Sequence, residues 1–413
     1  MKEENRRYAE EAFEIVEHAA KKIGSRLPGS DGEKEYAAYM GDKLRSIGIE
    51  PVREEFAVSP RASIGGIPYA GYLGLIMSAL VYVALHLSAV WYGMALASVV
   101  CWVWLILSVF LYKTWFDMFF KQEISQNTYG ELLPPDGKYD YTIILSGHTD
   151  TSWCWRHSAH ASKFKKTKPA MGLVATFAKV GFGVICFLFL TAVSIAMTVI
   201  SSGVYFGEVW ALKIANSASF ANFLFAMHFL PVVTAIGCMF VVMWADPNPR
   251  NASRGAMDNA TGCALSFAVT KYFHDHPEKM PKNCRIIDFN CGSEEAGLRG
   301  SIAFTREHKG EPILENTWNI NIDSVADKDF FEVVIKDDWQ FCRFDTDLEK
   351  MFKDTFNELG IVSKTTGCIH NPVGGCDSTP MTKAGMKSVT FAAQDPTPVS
   401  YTHLRAHETG AYL

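Results

Sequence analysis

Long stretches without acidic or basic side chains divide this chain into apolar and polar segments. Residues 62–112, 180–207 and 214–245 contain no Asp, Glu, Lys or Arg. Because a helix needs roughly 20 apolar residues to cross a bilayer, the first stretch is long enough for two crossings and each of the others for one. The pattern therefore predicts four membrane-spanning helices, near residues 69–89, 92–112, 176–200 and 222–244.

The apolar stretches have one alternative explanation and one internal irregularity. Buried core helices of a large soluble enzyme would also be apolar, although uncharged runs of this length are unusual in soluble folds. Pro231 lies inside the fourth predicted span, where we expect it to kink the helix, as membrane helices tolerate.

Basic side chains lie on one side of the third and fourth predicted spans. Residues 201–221 between these spans carry only Glu208 and Lys213 as charged residues. This asymmetry predicts that both termini and the polar segments are cytoplasmic. The lysine run is also compatible with contact to anionic lipid. The basic residues outside the two spans are Lys163, Lys165, Lys166, Lys168, Arg250 and Arg254.

The polar segments alternate between short apolar strands and helical patterns. This alternation indicates an α/β fold with a mostly parallel sheet flanked by helices. In such sheets ligands bind beyond the carboxyl ends of the strands. Strands are predicted near residues 51–58, 141–146, 284–290, 317–322, 330–336 and 388–393, and helices near 6–24, 31–47, 260–275, 300–308 and 345–359.

Composition narrows the possible classes of protein. The 413 residues carry a net charge of −5, so nothing indicates a nucleic-acid partner. The ten cysteines include no Cys-x-x-Cys pair, which argues against a thiolate zinc site and favours reduced thiols. The charged N-terminal start shows no signal peptide, which we interpret as consistent with a cytoplasmic enzyme domain.

Acidic and histidine residues occur at four places that such a sheet would bring together. Imidazole nitrogens and carboxylate oxygens are ligands of hard or borderline divalent metals. A carboxylate can bridge two ions, and two ions lower the pKa of a shared water molecule. The residues are His148 and Asp150 after the strand at 141–146, Asp258 before the helix at 260–275, Glu294 and Glu295 after the strand at 284–290, and Asp323 after the strand at 317–322.

Each of these pieces has a simpler explanation when it is taken alone. A His-x-Asp triplet is common by chance, and Asp258 with Asn259 is compatible with a helix N-cap. The glutamate pair is compatible with a solvated turn, and Asp323 with a loop carboxylate. The order of the four pieces along the chain favours a metal site.

That order resembles the M28 family of zinc aminopeptidases. The glutamate motif is the most specific part of the resemblance, which covers roughly residues 20–60, 138–158 and 247–398. The matching segments are 147–150 (GHTD), 256–262 (AMDNATG), 294–301 (EEAGLRGS) and 321–323 (NID), with further likeness at 24–30 (GSRLPGS), 374–381 (GGCDSTPM) and 384–386 (AGM).

The resemblance implies a role for each candidate residue. His148 and Asp323 would bind one zinc ion and Glu295 the other, with Asp258 as the bridge between them. Glu294 would be the general base that takes the proton of the water and passes it to the leaving amine. Asp150 would accept the other imidazole N–H and fix the tautomer of His148.

The chain departs from soluble family members in the spacing of its motifs. In those members the His-x-Asp motif and the bridging Asp are close in sequence. Here the corresponding residues, His148 and Asp258, are separated by the third and fourth spans. The first two spans are likewise inserted after the strand at 51–58. We therefore expect a catalytic domain at residues 1–58, 129–171 and 247–398, interrupted by transmembrane hairpins at 59–128 and 172–246.

The fifth metal ligand expected from the family is a late histidine. His403 is the positional candidate, followed by His407 and then by His370. However, residues 399–409 closely resemble a translated sequencing-adapter read-through, which predicts that residues 399–413 are foreign. Two zinc ions are expected if His403 is native, and one if the tail is foreign.

These observations predict a membrane-bound zinc metallopeptidase, specifically an aminopeptidase, which hydrolyses peptide bonds with a metal-activated water. The alternatives are a glutaminyl-cyclase-like zinc acyltransferase and a receptor or scaffold that kept the fold without catalysis. The complete glutamate motif and the Asp-Asn pair favour hydrolysis. The expected partners are a peptide substrate and the lipid bilayer, and the sequence indicates neither the side-chain preference nor the oligomeric state.

Overall fold

The computed structural model describes residues 3–153, 169–244, 253–364, 367–371 and 374–393. They form two compact units. The first unit comprises the described residues of Met1–Ile64, Phe110–Cys154 and Pro247–Leu413, and the second those of Gly65–Val109 and Trp155–Asp246. The first unit is therefore assembled from three segments of the chain.

Helices and strands are numbered in the order in which they follow one another along the described residues. The helices are α1 (Glu3–His18), α2 (Asp31–Ser46), α3 (Ile67–Ala84), α4 (Ala89–Trp104), α5 (Pro169–Tyr205), α6 (Val209–Ala215), α7 (Ala218–Ala226), α8 (Leu230–Val242), α9 (Thr261–Asp275), α10 (Arg299–Glu307), α11 (Thr346–Glu358) and α12 (Ser378–Lys383). The strands are β1 (Val52–Val58), β2 (Glu123–Leu132), β3 (Tyr141–His148), β4 (Cys284–Cys291), β5 (Thr317–Val325), β6 (Phe331–Asp337), β7 (Cys342–Arg343), β8 (Cys368–Asn371) and β9 (Lys387–Ala393).

A mixed sheet lies at the centre of the first unit. Its strand order is β1-β2-β4-β3-β5-β9-β6-β7, and β8 pairs with β6. Strands β4, β3, β5 and β9 are parallel neighbours. The pairs β1–β2, β2–β4, β6–β7 and β6–β9 are antiparallel. The predicted α/β fold with a helix-flanked sheet is confirmed, and the parallel pairing is concentrated in the middle of the sheet.

Helices cover both faces of this sheet. Along β4, Ile287 and Phe289 pack with Phe304 of α10. Ile286 points to the opposite face, because successive strand residues alternate, and packs with Leu145. The helices α1, α2 and α9 share a further apolar cluster that includes Ile15, Tyr36, Met40, Leu44 and Phe267.

Strand β2 was not among the predicted strands. Its sequence EISQNTYGEL is mostly polar, yet residues 125–130 are buried. Polar side chains are stable there because they reach backbone groups: Asn127 donates to the carbonyl of Gly300 at 3.0 Å, and Gln126 donates to that of Lys34 at 3.3 Å. Because the buried side chains of β2 are mostly polar, its sequence lacks the apolar alternation on which strand prediction depends.

Three helices among the described residues are long and apolar enough to cross a membrane, by length and composition only: Ile64–Ala84, Ala89–Phe110 and Ala178–Tyr205. Apart from Ile64 and Phe110, their residues belong to the second unit. A fourth crossing exists only if α7 and α8, which are bent by 49° at a short break, count as one span. Pro231 lies in the first turn of α8, a position that suits proline because the missing N–H would be unpaired there. The fourth predicted span is thus interrupted just before this proline.

Close helix contacts within the second unit involve small and hydroxyl side chains. A Cβ atom at Gly74 of α3 would collide with Cys238 of α8, so the two backbones approach closely. Beside this contact, the hydroxyls of Ser78 and Thr234 form a buried hydrogen bond of 2.8 Å. Small residues and buried hydroxyl pairs are typical of helix packing in membranes.

Candidate metal centre

The register of the central strands explains why distant residues meet at one edge of the sheet. His148 is the last residue of β3 and pairs with Cys291, the last residue of β4. On the other side, Ser146 pairs with Asn321 of β5. Asp323 follows Asn321 by two residues, as His148 follows Ser146, so these two side chains lie at the same level near the carboxyl ends of the strands, with Asp323 still inside β5 rather than after it.

Three side chains at this edge could hold a metal ion. His148, Asp258 and Asp323 each offer a ligand atom, and these atoms lie within 4.8 Å of one another. Nε2 of His148 lies 3.0 Å from Oδ1 of Asp258 and 3.9 Å from Oδ1 of Asp323. One imidazole nitrogen and two carboxylate oxygens are donors of the kind that bind Zn²⁺.

Asn259 connects the Asp258 segment to the Asp323 strand. Its Nδ2 donates to the carbonyl of Ile322 at 2.9 Å, and its Oδ1 accepts from the amide of Gly262 at 2.9 Å. The bond to Gly262 is of the helix-capping type, so the capping function falls to Asn259. The carboxylate of Asp258 instead faces His148.

Asp150 joins the histidine to the glutamate pair. Its Oδ1 lies 3.2 Å from Nδ1 of His148. The same carboxylate accepts hydrogen bonds of 2.9 Å from the backbone amides of Glu294 and Glu295. A carboxylate at Nδ1 orients the ring so that Nε2 faces the metal group, and here it also holds the glutamate turn against the histidine.

The two glutamates occupy different positions relative to the three-residue group. Oε2 of Glu294 lies 3.9 Å from Nε2 of His148. Glu295 is buried, hydrogen-bonds to Ser152 and is not a member of the group formed by His148, Asp258 and Asp323. Its expected role as the ligand of a second zinc ion stays a prediction.

The charges of this site suit a bound cation. Burial raises the pKa of Glu294 well above its ordinary range, against the influence of His148, and raises that of Glu295 to about 7. Burial lowers the pKa of His148, but the hydrogen bond to Asp150 and the charge of Glu294 raise it well above its ordinary value. Buried carboxylates around one imidazole repel each other, and a divalent cation would relieve this repulsion.

Arg26, which no sequence motif indicated as a functional residue, braces two of the metal-site segments. Its side chain is fully buried. Nε donates to the carbonyl of Thr149 at 2.7 Å, and the terminal nitrogens donate to the carbonyls of Arg254 at 2.6 Å and Gly255 at 2.8 Å. Thr149 lies between His148 and Asp150, so one guanidinium ties the histidine segment to the chain leading into Asp258.

Glu33 supports the turn that carries Glu294 and Glu295, as Arg26 supports the histidine segment. The carboxylate is buried in α2 and accepts from the amide of Gly29 at 2.6 Å. It also accepts from the amide and hydroxyl of Ser293 at 2.6 and 2.9 Å. Burial and the charge of Asp150 raise the pKa of Glu33 to about 8, while the hydrogen bonds lower it. The only sequence signal near Arg26 and Glu33 was the resemblance of residues 24–30 to the family.

Asp377 is a further buried carboxylate near the site. Its Oδ1 accepts from Ser301 at 2.6 Å and from the thiol of Cys291 at 3.6 Å. Burial raises its pKa, and the charge of His148 opposes that shift. The sequence motif at 374–381 contained this residue without indicating a role.

The histidines proposed as the late ligand cannot be placed at the site. His403 and His407 lie outside the described residues, as does the side chain of His370. The fifth ligand therefore stays a prediction.

One protein-family model matches part of this chain. Residues 240–409 match the model of peptidase family M28. The matched segment includes Asp258, the glutamate pair and Asp323, whereas His148 precedes it. It also extends over His403. No curated protein matches this chain.

Several solved structures resemble the chain at low identity. A zinc aminopeptidase from Bacillus subtilis is 13% identical, with 97% of this chain and 89% of that chain covered and a TM-score of 0.49. A Zn-dependent exopeptidase from Parabacteroides distasonis is 12% identical, with coverage of 97% and 90% and a TM-score of 0.48. A glutaminyl cyclase from Bacteroides thetaiotaomicron is 13% identical, with coverage of 97% and 90% and a TM-score of 0.49.

Proposed function

We propose that this chain, whose residues 240–409 match peptidase family M28, is a membrane-bound zinc aminopeptidase. The observation that carries the proposal is the approach of Glu294 to the group of His148, Asp258 and Asp323. A metal-binding group and an adjacent carboxylate base are the two parts that hydrolysis by an activated water requires. The interruption of the catalytic domain by two transmembrane hairpins is part of this proposal.

Each residue has a defined task in the proposed reaction. His148, Asp258 and Asp323 would hold zinc, and Glu295 with Asp258 would hold a second ion. Bound zinc supplies a Lewis acid that lowers the pKa of a water molecule. Glu294 takes a proton from the water and delivers it to the leaving amine. Asp150 keeps His148 oriented and holds the glutamate turn in place.

The proposal is tested by measuring zinc content and hydrolysis of aminoacyl substrates by the full chain in lipid nanodiscs. Glu294→Gln should retain zinc and lose roughly 100- to 10,000-fold in kcat, because a positioned general base contributes about that much. Glu278→Gln, at an exposed position, is the matched control and should behave as the wild type. A loss of zinc in Glu294→Gln as large as in Glu295→Gln would show that the two roles are exchanged.

A glutaminyl-cyclase-like activity is the second candidate. Its support is that the described residues offer a single group of three ligands, which suits one zinc ion. Peptides that begin with glutamine discriminate the two activities. An aminopeptidase releases free glutamine from them, whereas a cyclase releases ammonia and leaves a blocked N-terminus. Zinc-loaded protein without either product would instead favour a receptor or scaffold.

We also propose that the catalytic domain faces the cytoplasm, on the basis of the basic flanks of the third and fourth predicted spans. Native cysteines such as Cys376 are buried and are poor reporters, so exposed sites must be introduced. Phe206 is 75% exposed and Val362 is 85% exposed. An impermeant thiol reagent added to intact cells should label Phe206→Cys and spare Val362→Cys. The opposite labelling pattern would reverse the orientation.

A further inference from the structure

The chain enters the neighbourhood of the metal centre directly after the second apolar helix. Tyr112 is buried in the first unit, and its carbonyl accepts a hydrogen bond of 2.7 Å from Arg299. A Cβ atom at Gly297 would lie 3.0 Å from the Tyr112 ring, and one at Gly375 would lie 2.6 Å from it. Gly297 lies two residues beyond the glutamate pair, so the ring packs against the backbone of the catalytic turn.

The end of the apolar helix lies only two residues before this ring. The candidate span Ala89–Phe110 ends at Phe110. Two residues of extended chain reach at most about 7 Å, and the headgroup region on each side of a bilayer is about 5–8 Å thick. If Phe110 marks the edge of the hydrocarbon, Tyr112 and the turn that it contacts lie at the level of the headgroups.

A second loop of the first unit contacts Phe110, which belongs to the same unit. The ring of Trp339 stacks on Phe110 with centroids 4.5 Å apart, and Nε2 of Gln340 donates to the carbonyl of Phe110 at 2.5 Å. This loop joins β6 to β7. The next residue, Phe341, is 85% exposed.

Exposed apolar side chains and lysines cluster in these two segments. Trp115 is 68% exposed, Met118 75% and Phe119 74%. Lys113 and Lys121 flank them in the sequence, and Lys383 reaches Gln340 at 3.0 Å. Exposed aromatic rings bordered by lysines are typical of the membrane interface, where the rings enter the headgroup layer and the ammonium groups contact lipid phosphates. We name residues 113–121 and 339–341 the interfacial patch.

We infer that the metal centre works at the bilayer surface, and that its substrates are peptides whose N-termini are held there by a membrane-anchored segment. The inference rests on the proposed peptidase function and specifies its substrate class. A centre at headgroup level meets an anchored N-terminus at a high effective concentration without any additional contact. A soluble peptide has no such advantage.

Three peptides with the same N-terminal sequence test this inference on the full chain in nanodiscs. One is soluble, one carries a C-terminal acyl chain after a spacer of a few residues, and one carries the acyl chain after a long flexible spacer. The short-spacer peptide should be hydrolysed at least tenfold faster than the soluble one, and faster than the long-spacer one. Equal rates for the short-spacer and soluble peptides would overturn the inference. So would cleavage that requires the long spacer, since the centre would then lie far from the bilayer.

Loss of hydrolysis of all three peptides by zinc-loaded protein would instead refute the peptidase function itself. The interfacial patch provides an independent check. Phe119→Ser should lower hydrolysis of the short-spacer peptide several-fold and leave the soluble peptide unaffected. Val362→Ser, at an even more exposed apolar position outside the patch, should change neither rate. Equal effects of Phe119→Ser on both peptides would count against the patch.

Discussion

The backbone amide of Ser293 donates a hydrogen bond of 2.6 Å to the buried carboxylate of Glu33. Ser293 directly precedes the glutamate pair, so the position of the proposed base depends on a helix near the N-terminus. The same carboxylate accepts from Gly29. Glu33 therefore joins the loop that opens α2 to the glutamate turn through hydrogen bonds.

Glu33→Gln should disturb these hydrogen bonds. A glutamine side chain has one oxygen and one amide nitrogen, so its NH₂ group must face a backbone N–H on one side. Loss of one such hydrogen bond costs about 1–3 kcal/mol. We expect kcat to fall roughly tenfold with little change in KM or zinc content. Glu35→Gln, exposed on the same helix, is the control, and an unchanged kcat in Glu33→Gln would contradict the positioning role.

Arg26→Lys should weaken both stability and zinc binding. A lysine has a single ammonium group and cannot serve the carbonyls of Thr149, Arg254 and Gly255 together, which leaves buried acceptors unpaired. We expect the free energy of unfolding to fall by about 2–4 kcal/mol. Zinc affinity, measured by competition with a chelator, should fall as well. Arg53→Lys, at an exposed position of β1, should have neither effect.

The stability of the first unit should fall as the pH rises from about 4 to 7, because of Asp288. Burial raises the pKa of this carboxyl from its ordinary 3.8 to about 7, against hydrogen bonds from Ser266 and Asn290. Over that range the folded state keeps a proton that the unfolded state has lost, so stability decreases with pH. Its Oδ2 has no hydrogen-bond partner among the described residues, so an amide nitrogen should be tolerated there.

Asp288→Asn should therefore stabilise the protein at pH 8 by an amount on the order of 3 kcal/mol, with little effect at pH 4. The check is thermal unfolding at both pH values. Asp354→Asn, at an exposed position of α11, is the matched control. A stabilisation of Asp288→Asn that is the same at both pH values would rule out a titrating carboxyl as its cause.

His403→Ala tests the origin of the last residues. If residues 399–413 are foreign, as their resemblance to adapter sequence predicts, zinc content and activity should not change. The family match extends over this position, so the opposite result has a clear meaning. A loss of about one zinc ion per chain, absent in His407→Ala, would identify His403 as the fifth ligand.

The predicted central strands and most of the predicted helices agree with the structure to within a few residues. Their signals are local, because apolar alternation and helical periodicity do not depend on distant segments. The meeting of His148 with Asp323 also followed from a general rule on strand ends. Strand β2 was missed because its buried side chains are polar, and the fourth apolar segment is interrupted between Ala226 and Leu230, just before Pro231.

The residues that brace the metal centre could not be predicted in this way. Arg26 and Glu33 act through backbone groups of segments that are far away in the sequence, and no local pattern encodes which carbonyl or amide they will meet. Asp377 belongs to the motif at 374–381, but its proximity to the centre depends on the pairing of β9 with β5. Such roles emerge only when the three segments of the first unit are assembled.

That assembly has a consequence for how the protein is made. Strand β3 ends at His148 and its partner β4 begins at Cys284, with both later apolar helices synthesised between them. These helices must therefore be synthesised before β4 can pair with β3. Contacts between strands this distant in sequence form slowly. Until then both edges of β3 are unpaired and open to aggregation, because its neighbours β4 and β5 come later in the chain. For the proposed membrane enzyme, correct insertion of the apolar helices would thus be a precondition for assembling the metal site, and faulty insertion would remove the site as well as the anchor.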